Sequence, residues 1–299
     1  MISKSTLLHL RIPFSFFLLP VFLFALSVTP NLDPSRILIV FIALHLFLYP
    51  ASNAYNSYFD KDEKSIGGLK NPPPVSKQLY WTSLAFDFIA IVLALFINIS
   101  FAMMLLVYGL VSKAYSHPAI RLKKYPFASW FVAGFFQGCF TFLAAYMGLN
   151  DYGFFVILHE QTLIPGLLSS LLLWGSYPMT QIYQHEEDAK RGDGTLSILL
   201  GIKGTFYFTA IMFTLASLGF FLYFQKYFAT MYGSHFLFFL SPVVLYFGFW
   251  FLKVLKNRSK ADYGHTMWLN TLSALLMNAF FIYFFLDSTR VLDALKAGY

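Results

Sequence analysis

Nine long apolar segments dominate this chain and leave few ways for it to fold. They cover about residues 12–30, 36–58, 79–99, 101–115, 126–147, 162–182, 204–225, 234–253 and 267–287. A helix needs roughly 20 mostly apolar residues to cross the hydrocarbon core of a bilayer. Because a bilayer offers no water to backbone N–H and C=O groups, such segments are predicted to be helical. We therefore predict an all-α, polytopic membrane protein with nine transmembrane helices and a single domain over residues 1–299.

Composition excludes a soluble protein. Only 12% of the residues are charged and 58% are hydrophobic, whereas a soluble domain carries about 25% charged residues. Cys139 is the only cysteine, so neither a disulfide within the chain nor a cysteine-rich metal site is possible.

The lysines and arginines lie mostly on one side of the predicted bundle. Of the 21 in the chain, Arg36, Lys226, Arg290 and Lys296 fall on one side, which leaves 17 on the side of the N-terminus. Short basic loops are typical of the cytoplasmic face, so we predict an integral protein of the cytoplasmic membrane with its N-terminus inside. The net charge of +7 is explained by this orientation, and no nucleic-acid partner is expected.

Acidic residues are concentrated on the same side, at the ends of the second and sixth segments. Asn56 and Asp60 are four residues apart, as are Gln184 and Asp188. Residues at i and i+4 are offset by about 40° around a helix, so each pair shares a face. The two faces are predicted to oppose each other across a central cavity.

This arrangement favours the binding of a diphosphate through magnesium. Mg²⁺ takes hard oxygen ligands, usually one or two carboxylates completed by phosphate oxygens and water. Metal binding makes diphosphate a better leaving group, which allows an allylic carbocation to form. The alternative is that these acids only mark the membrane interface.

The same segments carry a resemblance to the UbiA superfamily of intramembrane prenyltransferases. Its first motif, Asn-xxx-Asp-xxx-Asp, is similar to Asn56, Asp60 and Lys64, followed by Asn71-Pro72 where the family often has Arg-Pro. Its second motif, Asp-xxx-Asp, is similar to Gln184 and Asp188, with the family's later Gly and Thr-Leu present as Gly192 and Thr195-Leu196. A third segment, Tyr115-Ser116-His117-Pro118-Ala119-Ile120-Arg121-Leu122-Lys123, resembles the family's loop after helix four.

Two positions depart from the family pattern. Lys64 and Gln184 stand where the family has carboxylates. Asp62 and Glu63 lie beside the first position, but on a continuous helix they project about 200° and 100° away from Lys64. They can replace the missing carboxylate only if the helix has ended before them; otherwise Lys64 itself is expected to meet a phosphate.

The resemblance implies the site and its roles. Asn56, Asp60, Gln184 and Asp188 are expected to hold Mg²⁺, with Asn56, Asp60, Asp188 and Tyr115 as catalytic residues. The diphosphate is expected to contact Lys64, Arg121, Lys123 and Lys190. The implied activity is Mg²⁺-dependent transfer of an isoprenyl group from a prenyl diphosphate to a hydrophobic acceptor, aromatic or lipid, within the membrane and on its cytoplasmic side.

Two other functions stay open at this stage. A terpene cyclase of the same superfamily would capture the carbocation with the substrate's own double bonds. A non-catalytic family member would bind isoprenoid lipid without turnover. The acceptor, the prenyl chain length, the number of metal ions and the oligomeric state do not follow from the sequence.

Overall fold

The computed structural model describes residues 2–291, and all regular elements in this part of the chain are helices, without a strand. Lys296 lies outside the described residues. The α-helices are α1 (Lys4–Leu10), α2 (Leu19–Ser27), α3 (Pro34–Phe41), α4 (Tyr49–Asp60), α5 (Lys77–Leu95), α6 (Ile99–Ser116), α7 (Pro126–Phe135), α8 (Thr141–Asn150), α9 (Glu160–Gln181), α10 (His185–Arg191), α11 (Leu196–Tyr227), α12 (Thr230–Lys256) and α13 (Tyr263–Ser288).

Short segments of other helical geometry join several of these helices. Two π-helical segments make α3 continuous with α4 and α7 continuous with α8, and 3-10 turns form at four other places. The π segments are Ile42–Leu48 and Phe136–Phe140, and the 3-10 turns are Ile12–Phe17, Leu122–Lys124, Phe154–Leu158 and Arg258–Lys260. Each of the nine predicted apolar segments therefore corresponds to a helix, a continuous helical pair or a bent pair.

The helices confirm an integral, multi-pass membrane protein, but they do not confirm the number nine. Among the described residues, seven helices are long and apolar enough to span a membrane. The bent pair Lys4–Phe17 and Leu19–Ser27, with a 44° angle, adds an eighth if it is one span. Helix α9 is long enough at 22 residues, but it is not apolar enough to be counted with them. The ninth span stays a prediction.

The break between the third and fourth predicted segments is confirmed. Helix α5 ends at Leu95 and α6 begins at Ile99, with Asn98 as its N-cap. The Asn98 Oδ1 atom accepts a hydrogen bond of 2.7 Å from the backbone N–H of Phe101. A capping side chain of this kind satisfies a backbone donor that the first helical turn leaves free. Two shorter helices therefore form instead of one long helix.

Large aromatic side chains fill the core of the bundle away from the charged loops. Phe24 of α2 stacks on Phe281 of α13, with 4.7 Å between ring centroids. Phe220 of α11 stacks on Phe236 of α12 at 4.5 Å. These rings are fully buried, and they hold α2, α11, α12 and α13 together around one end of a cavity.

The orientation of the bundle is tested by labelling introduced cysteines. Ser259 is exposed in the loop between α12 and α13, and Ala229 is exposed in the loop between α11 and α12. Lys and Arg are concentrated in the loop between α12 and α13 and in the other loops on the same side of the membrane. We therefore expect Ser259→Cys to be labelled only from the cytoplasm. Ala229→Cys serves as the opposite control and should be labelled only from outside. The native Cys139 is buried and should not react. Labelling of Ser259→Cys from outside would contradict the predicted orientation.

Candidate active site

One cavity of about 370 Å³ runs from the charged loops into the aromatic core. Its polar end is lined by acidic, basic and amide side chains, and its other end is lined mostly by aromatic and aliphatic side chains. The polar lining includes Arg11, Asn56, Asp60, Asp62, Lys123, Gln184, Asp188, Arg191 and Asp193, and the apolar lining includes Phe24, Phe136, Phe213, Phe220, Leu240 and Phe281. The cavity can therefore hold an amphipathic molecule with an anionic head and a hydrocarbon tail.

Helix α4 places Asn56 and Asp60 in the cavity as predicted. Both side chains line it from consecutive turns of one continuous helix. The Asn56 amide donates a hydrogen bond of 3.0 Å to Ser116 Oγ on α6. Asp60 is buried, and its Oδ1 atom has no hydrogen-bond partner among the described residues. The Arg121 Nη2 atom lies 3.6 Å from this oxygen, so the oxygen can still accept a bond from an incoming ligand.

The chain leaves the helix directly after Asp60, and this brings in Asp62. Lys61 is the C-cap in the left-handed conformation (φ 51°). The backbone therefore turns, and the side chain of Asp62 lines the cavity with only 5% of its surface exposed. Of the two alternatives considered for the missing carboxylate, the geometry favours replacement by Asp62.

The second acidic segment contributes two aspartates. Helix α9 ends at Gln181 and α10 begins at His185, with Gln184 as its N-cap. Asp188 lies in the first turn of α10, and Gly192 ends that helix with a φ of 72°, a value that glycine adopts without strain. This turn directs Asp193 back into the cavity. Asp193 was not predicted as a site residue, although the glycine before it indicates such a turn.

The loop after α6 supplies two basic residues to these aspartates. Arg121 donates two hydrogen bonds to the Asp193 carboxylate, at 2.8 and 2.9 Å. Lys123 Nζ lies 2.5 Å from Asp60 Oδ2 and 3.3 Å from Asp193 Oδ2. Lys123 therefore joins the two acidic segments inside the cavity. Arg121 also pairs with Asp60, at 3.6 Å, so it joins the same two segments.

Arg191 makes the largest number of contacts to carboxylates at the polar end. It forms ion pairs with Asp62, with Asp188 at 2.5 Å and with Asp193 at 3.3 Å. Nothing in the sequence distinguishes it from the other charged residues of the segment that forms α10. Removing one partner of a buried ion pair costs about 3–5 kcal/mol, so this residue contributes to holding the two segments together.

Burial and charge act in opposite directions on the aspartates of the second segment. Burial raises the pKa of Asp188 to about 6, although Arg191 and Lys123 lower it in part. Burial also tends to raise the pKa of Asp193. The hydrogen bonds from Arg121 and the positive charges around the carboxylate outweigh burial, so this pKa lies below the ordinary value. Both carboxylates are therefore mostly ionised at neutral pH.

Lys64 and Lys190 do not reach the cavity. Lys64 Nζ lies 2.6 Å from Glu186 Oε2, with 59% of the lysine side chain exposed. Lys190 pairs with the same glutamate at 2.8 Å. Their predicted contact with a diphosphate has no support in this geometry, because the turn at Lys61 directs Lys64 toward the surface of α10.

Tyr115 and Gln184 lie in the cavity wall. The Tyr115 hydroxyl hydrogen-bonds to the hydroxyl of Tyr177 on α9. The Gln184 amide donates a hydrogen bond of 3.3 Å to the backbone oxygen of Ser65. Tyr115 thus presents an aromatic ring near the carboxylates, and Gln184 attaches the loop after α4 to the start of α10.

The carboxylates fit magnesium only together with a phosphate ligand. Within residues 2–291, no three His, Cys, Asp or Glu side chains converge in the way a protein-only metal site requires. Mg²⁺ usually takes one or two carboxylates with substrate phosphates and water. The oxygens of Asp60, Asp62 and Asp188 are of the right chemical type, and Asp60 Oδ1 is free of hydrogen bonds. The donor set therefore fits a metal–diphosphate complex.

The position of Lys64 is tested by removing its charge. Because Lys64 is exposed and outside the cavity, Lys64→Gln should change the Mg²⁺ dependence of diphosphate release by less than twofold. Asp62→Asn, two residues away but inside the cavity, should raise the required Mg²⁺ concentration at least fivefold. The measurement is a Mg²⁺ titration of diphosphate release from a prenyl diphosphate. A large effect of Lys64→Gln together with no effect of Asp62→Asn would reverse the assignment.

The chain matches the model of the UbiA prenyltransferase family over residues 16–284. No curated protein matches it. The apo structure of a UbiA homolog from Aeropyrum pernix K1 superimposes with a TM-score of 0.69 and 19% identity, covering 91% of this chain and 98% of that chain.

Two other solved structures are similar in fold. A UbiA homolog from Archaeoglobus fulgidus bound to GPP and Mg²⁺ has a TM-score of 0.66 and 17% identity, covering 94% of this chain and 99% of that chain. A digeranylgeranylglyceryl phosphate synthase has a TM-score of 0.61 and 22% identity, covering 94% and 98%. At these identities the structures show a shared fold.

Proposed function

The chain belongs to the UbiA prenyltransferase family, and from that premise we propose that it transfers an isoprenyl group from a prenyl diphosphate to a hydrophobic acceptor within the membrane. The observation that carries this proposal is a cavity with aspartates from two segments at one end and aromatic walls at the other. This polarity matches a substrate that has a charged head and a hydrocarbon tail.

The diphosphate is held at the polar end by this chain's own charges. Asp60, Asp62 and Asp188 are the residues that would hold Mg²⁺, with Asn56 and Gln184 beside them in the cavity wall. When bound, Mg²⁺ neutralises the diphosphate and makes it a better leaving group. The UbiA homolog from A. fulgidus that is bound to GPP and Mg²⁺ supports Mg²⁺ and a prenyl diphosphate as the ligands. Lys123 supplies an ammonium to a phosphate oxygen.

The reaction breaks the bond between C1 of the isoprenyl group and its diphosphate oxygen, and the electron pair leaves with the diphosphate. The allylic cation lies near the ring of Tyr115, whose π face attracts a cation. A nucleophilic atom of the acceptor then forms a bond to C1, and the acceptor loses a proton. Aromatic walls exclude water, which would otherwise capture the cation.

The acceptor is aromatic or lipid in character, because it has to enter an apolar cavity within a membrane-spanning bundle. The polar end lies on the side that is rich in Lys and Arg, so the active site is proposed to face the cytoplasm in the cytoplasmic membrane. The synthase among the structural neighbours supports transfer over cyclisation, since its product name describes prenyl groups joined to a glyceryl phosphate.

The roles of Asp60 and Asp188 are tested by substitutions that keep side-chain size. Asp60→Asn and Asp188→Asn each remove one anionic ligand. We expect each to weaken Mg²⁺-dependent binding of geranyl diphosphate at least tenfold, equivalent to about 1.4 kcal/mol. Glu63→Gln is the matched control, because Glu63 is exposed in the same loop. Wild-type binding and turnover in both aspartate variants would mean that these acids only mark the interface.

The type of reaction is tested with purified protein, geranyl diphosphate and a membrane lipid extract. Release of diphosphate that requires the extract, with a prenylated product, is the outcome we expect for a transferase. Release without the extract, together with a hydrocarbon product, would identify a cyclase instead. Saturable binding without any release would identify a non-catalytic isoprenoid-binding protein.

A further inference from the structure

Arg191, at the end of α10, contacts carboxylates of both acidic segments. Its Nη1 pairs with Asp62 from the loop after α4, and its Nη2 and Nε atoms pair with Asp188 and Asp193 from the second segment. A single guanidinium thus joins three carboxylates, each of which lines the cavity. Its side chain is 20% exposed, and it also lines the cavity.

The charges at the polar end balance without any metal. Four aspartates are matched by four basic residues, namely Asp60, Asp62, Asp188 and Asp193 with Arg11, Arg121, Lys123 and Arg191. A free divalent cation therefore meets no excess of negative charge. Two of the three carboxylates that Arg191 contacts, Asp62 and Asp188, are among the residues that fit Mg²⁺.

Donor geometry leaves Arg191 able to interact with a substrate as well. A guanidinium has five N–H groups, and the three ion pairs engage one from each nitrogen. One N–H of each Nη atom is left for phosphate oxygens, which match the planar fork of arginine. An incoming diphosphate can accept these donors while its metal takes the carboxylates.

We propose that the Arg191 guanidinium occupies the position where Mg²⁺ would bind. It thereby prevents divalent cations from binding in the absence of substrate, and it releases Asp62 and Asp188 only when diphosphate binds. This inference rests on the proposed function, because it assumes that a diphosphate is the ligand. It implies that metal and diphosphate bind together and that substrate-free metal binding is weak.

The alternative reading of Arg191 is a purely structural bridge. Lys123 and Arg121 each pair with both Asp60 and Asp193, so two cationic bridges between the segments stay when Arg191 is removed. A structural bridge would lower stability on removal and would leave metal affinity unchanged or weaker. Only an occupant of the metal position predicts that metal binding becomes tighter.

The test is the binding of Mn²⁺ to detergent-purified, full-length protein without diphosphate or prenyl substrate, followed by electron paramagnetic resonance. We expect Arg191→Gln to bind Mn²⁺ at least tenfold more tightly than the wild type. Arg191→Lys keeps the charge and should tighten binding less than threefold. Arg258→Gln, an exposed arginine in the loop between α12 and α13, is the matched control and should bind like the wild type.

A double variant covers the case in which Arg191→Gln does not fold. Arg191→Gln/Asp193→Asn removes one charge of each sign and leaves Asp60, Asp62 and Asp188 unchanged. It should also bind Mn²⁺ more tightly than the wild type, with thermal unfolding as the check on folding. Folded variants that bind Mn²⁺ no more tightly than the wild type would overturn the proposal. Because the assay contains no prenyl substrate, this result is separate from any failure to release diphosphate from geranyl diphosphate.

Discussion

The mutual neutralisation of four aspartates and their basic partners is the interaction on which the polar end of this bundle depends. Burying a charged carboxylate without a partner costs several kcal/mol in lost hydration. A buried ion pair offsets this desolvation penalty only when the two charged groups are in close, well-aligned contact. Here Lys123 contacts carboxylates of both acidic segments, and so does Arg191. These contacts fix the end of α4, helix α10 and the loop after α6 relative to one another.

The same network would allow an apolar bundle to bind the highly charged head group of the proposed substrate. The cavity walls provide the low-dielectric surroundings in which fixed charges act strongly. The aspartates would repel a diphosphate by themselves, so cations have to accompany it or already be present. Lys123 and Arg191 are present in the fold, and in the proposed reaction Mg²⁺ would accompany the diphosphate. The four aspartates and their basic partners are therefore balanced before a ligand binds, and Mg²⁺ would offset most of the charge of the proposed diphosphate.

Helix positions and the first acidic pair could be predicted from the sequence for simple reasons. Apolar segments long enough to cross a bilayer have to be helical, and residues four apart on such a helix share a face. Asn56 and Asp60 accordingly both line the cavity. Which face of each span is buried in the protein and which contacts lipid could not be predicted in this way, because lipid and protein core both favour apolar side chains. Phe88 is exposed and Phe101 is fully buried, although both are phenylalanines of predicted spans.

The rest of the site depends on where the helices end, and sequence patterns locate helix ends poorly. The end of α4 at Asp60 directs Asp62 into the cavity and Lys64 out of it, although the family motif points to Lys64. The turn at Gly192 likewise brings Asp193 inward. Arg191 could not be selected because its role depends on a contact with Asp62, which is 129 residues away in the sequence. Charge composition alone does not distinguish it from Lys190, which is exposed on the same helix.

The most direct measurement is a structure of the protein with Mg²⁺ and a prenyl thiodiphosphate that reacts too slowly to turn over. The account predicts the diphosphate at the polar end, with metal on Asp60 and Asp188 and with Lys123 and Arg191 in contact with its oxygens. The hydrocarbon tail should extend along the aromatic walls toward Phe24 and Phe281. A diphosphate bound outside the cavity beside Lys64 and Lys190, with Arg191 still on its three aspartates, would contradict it.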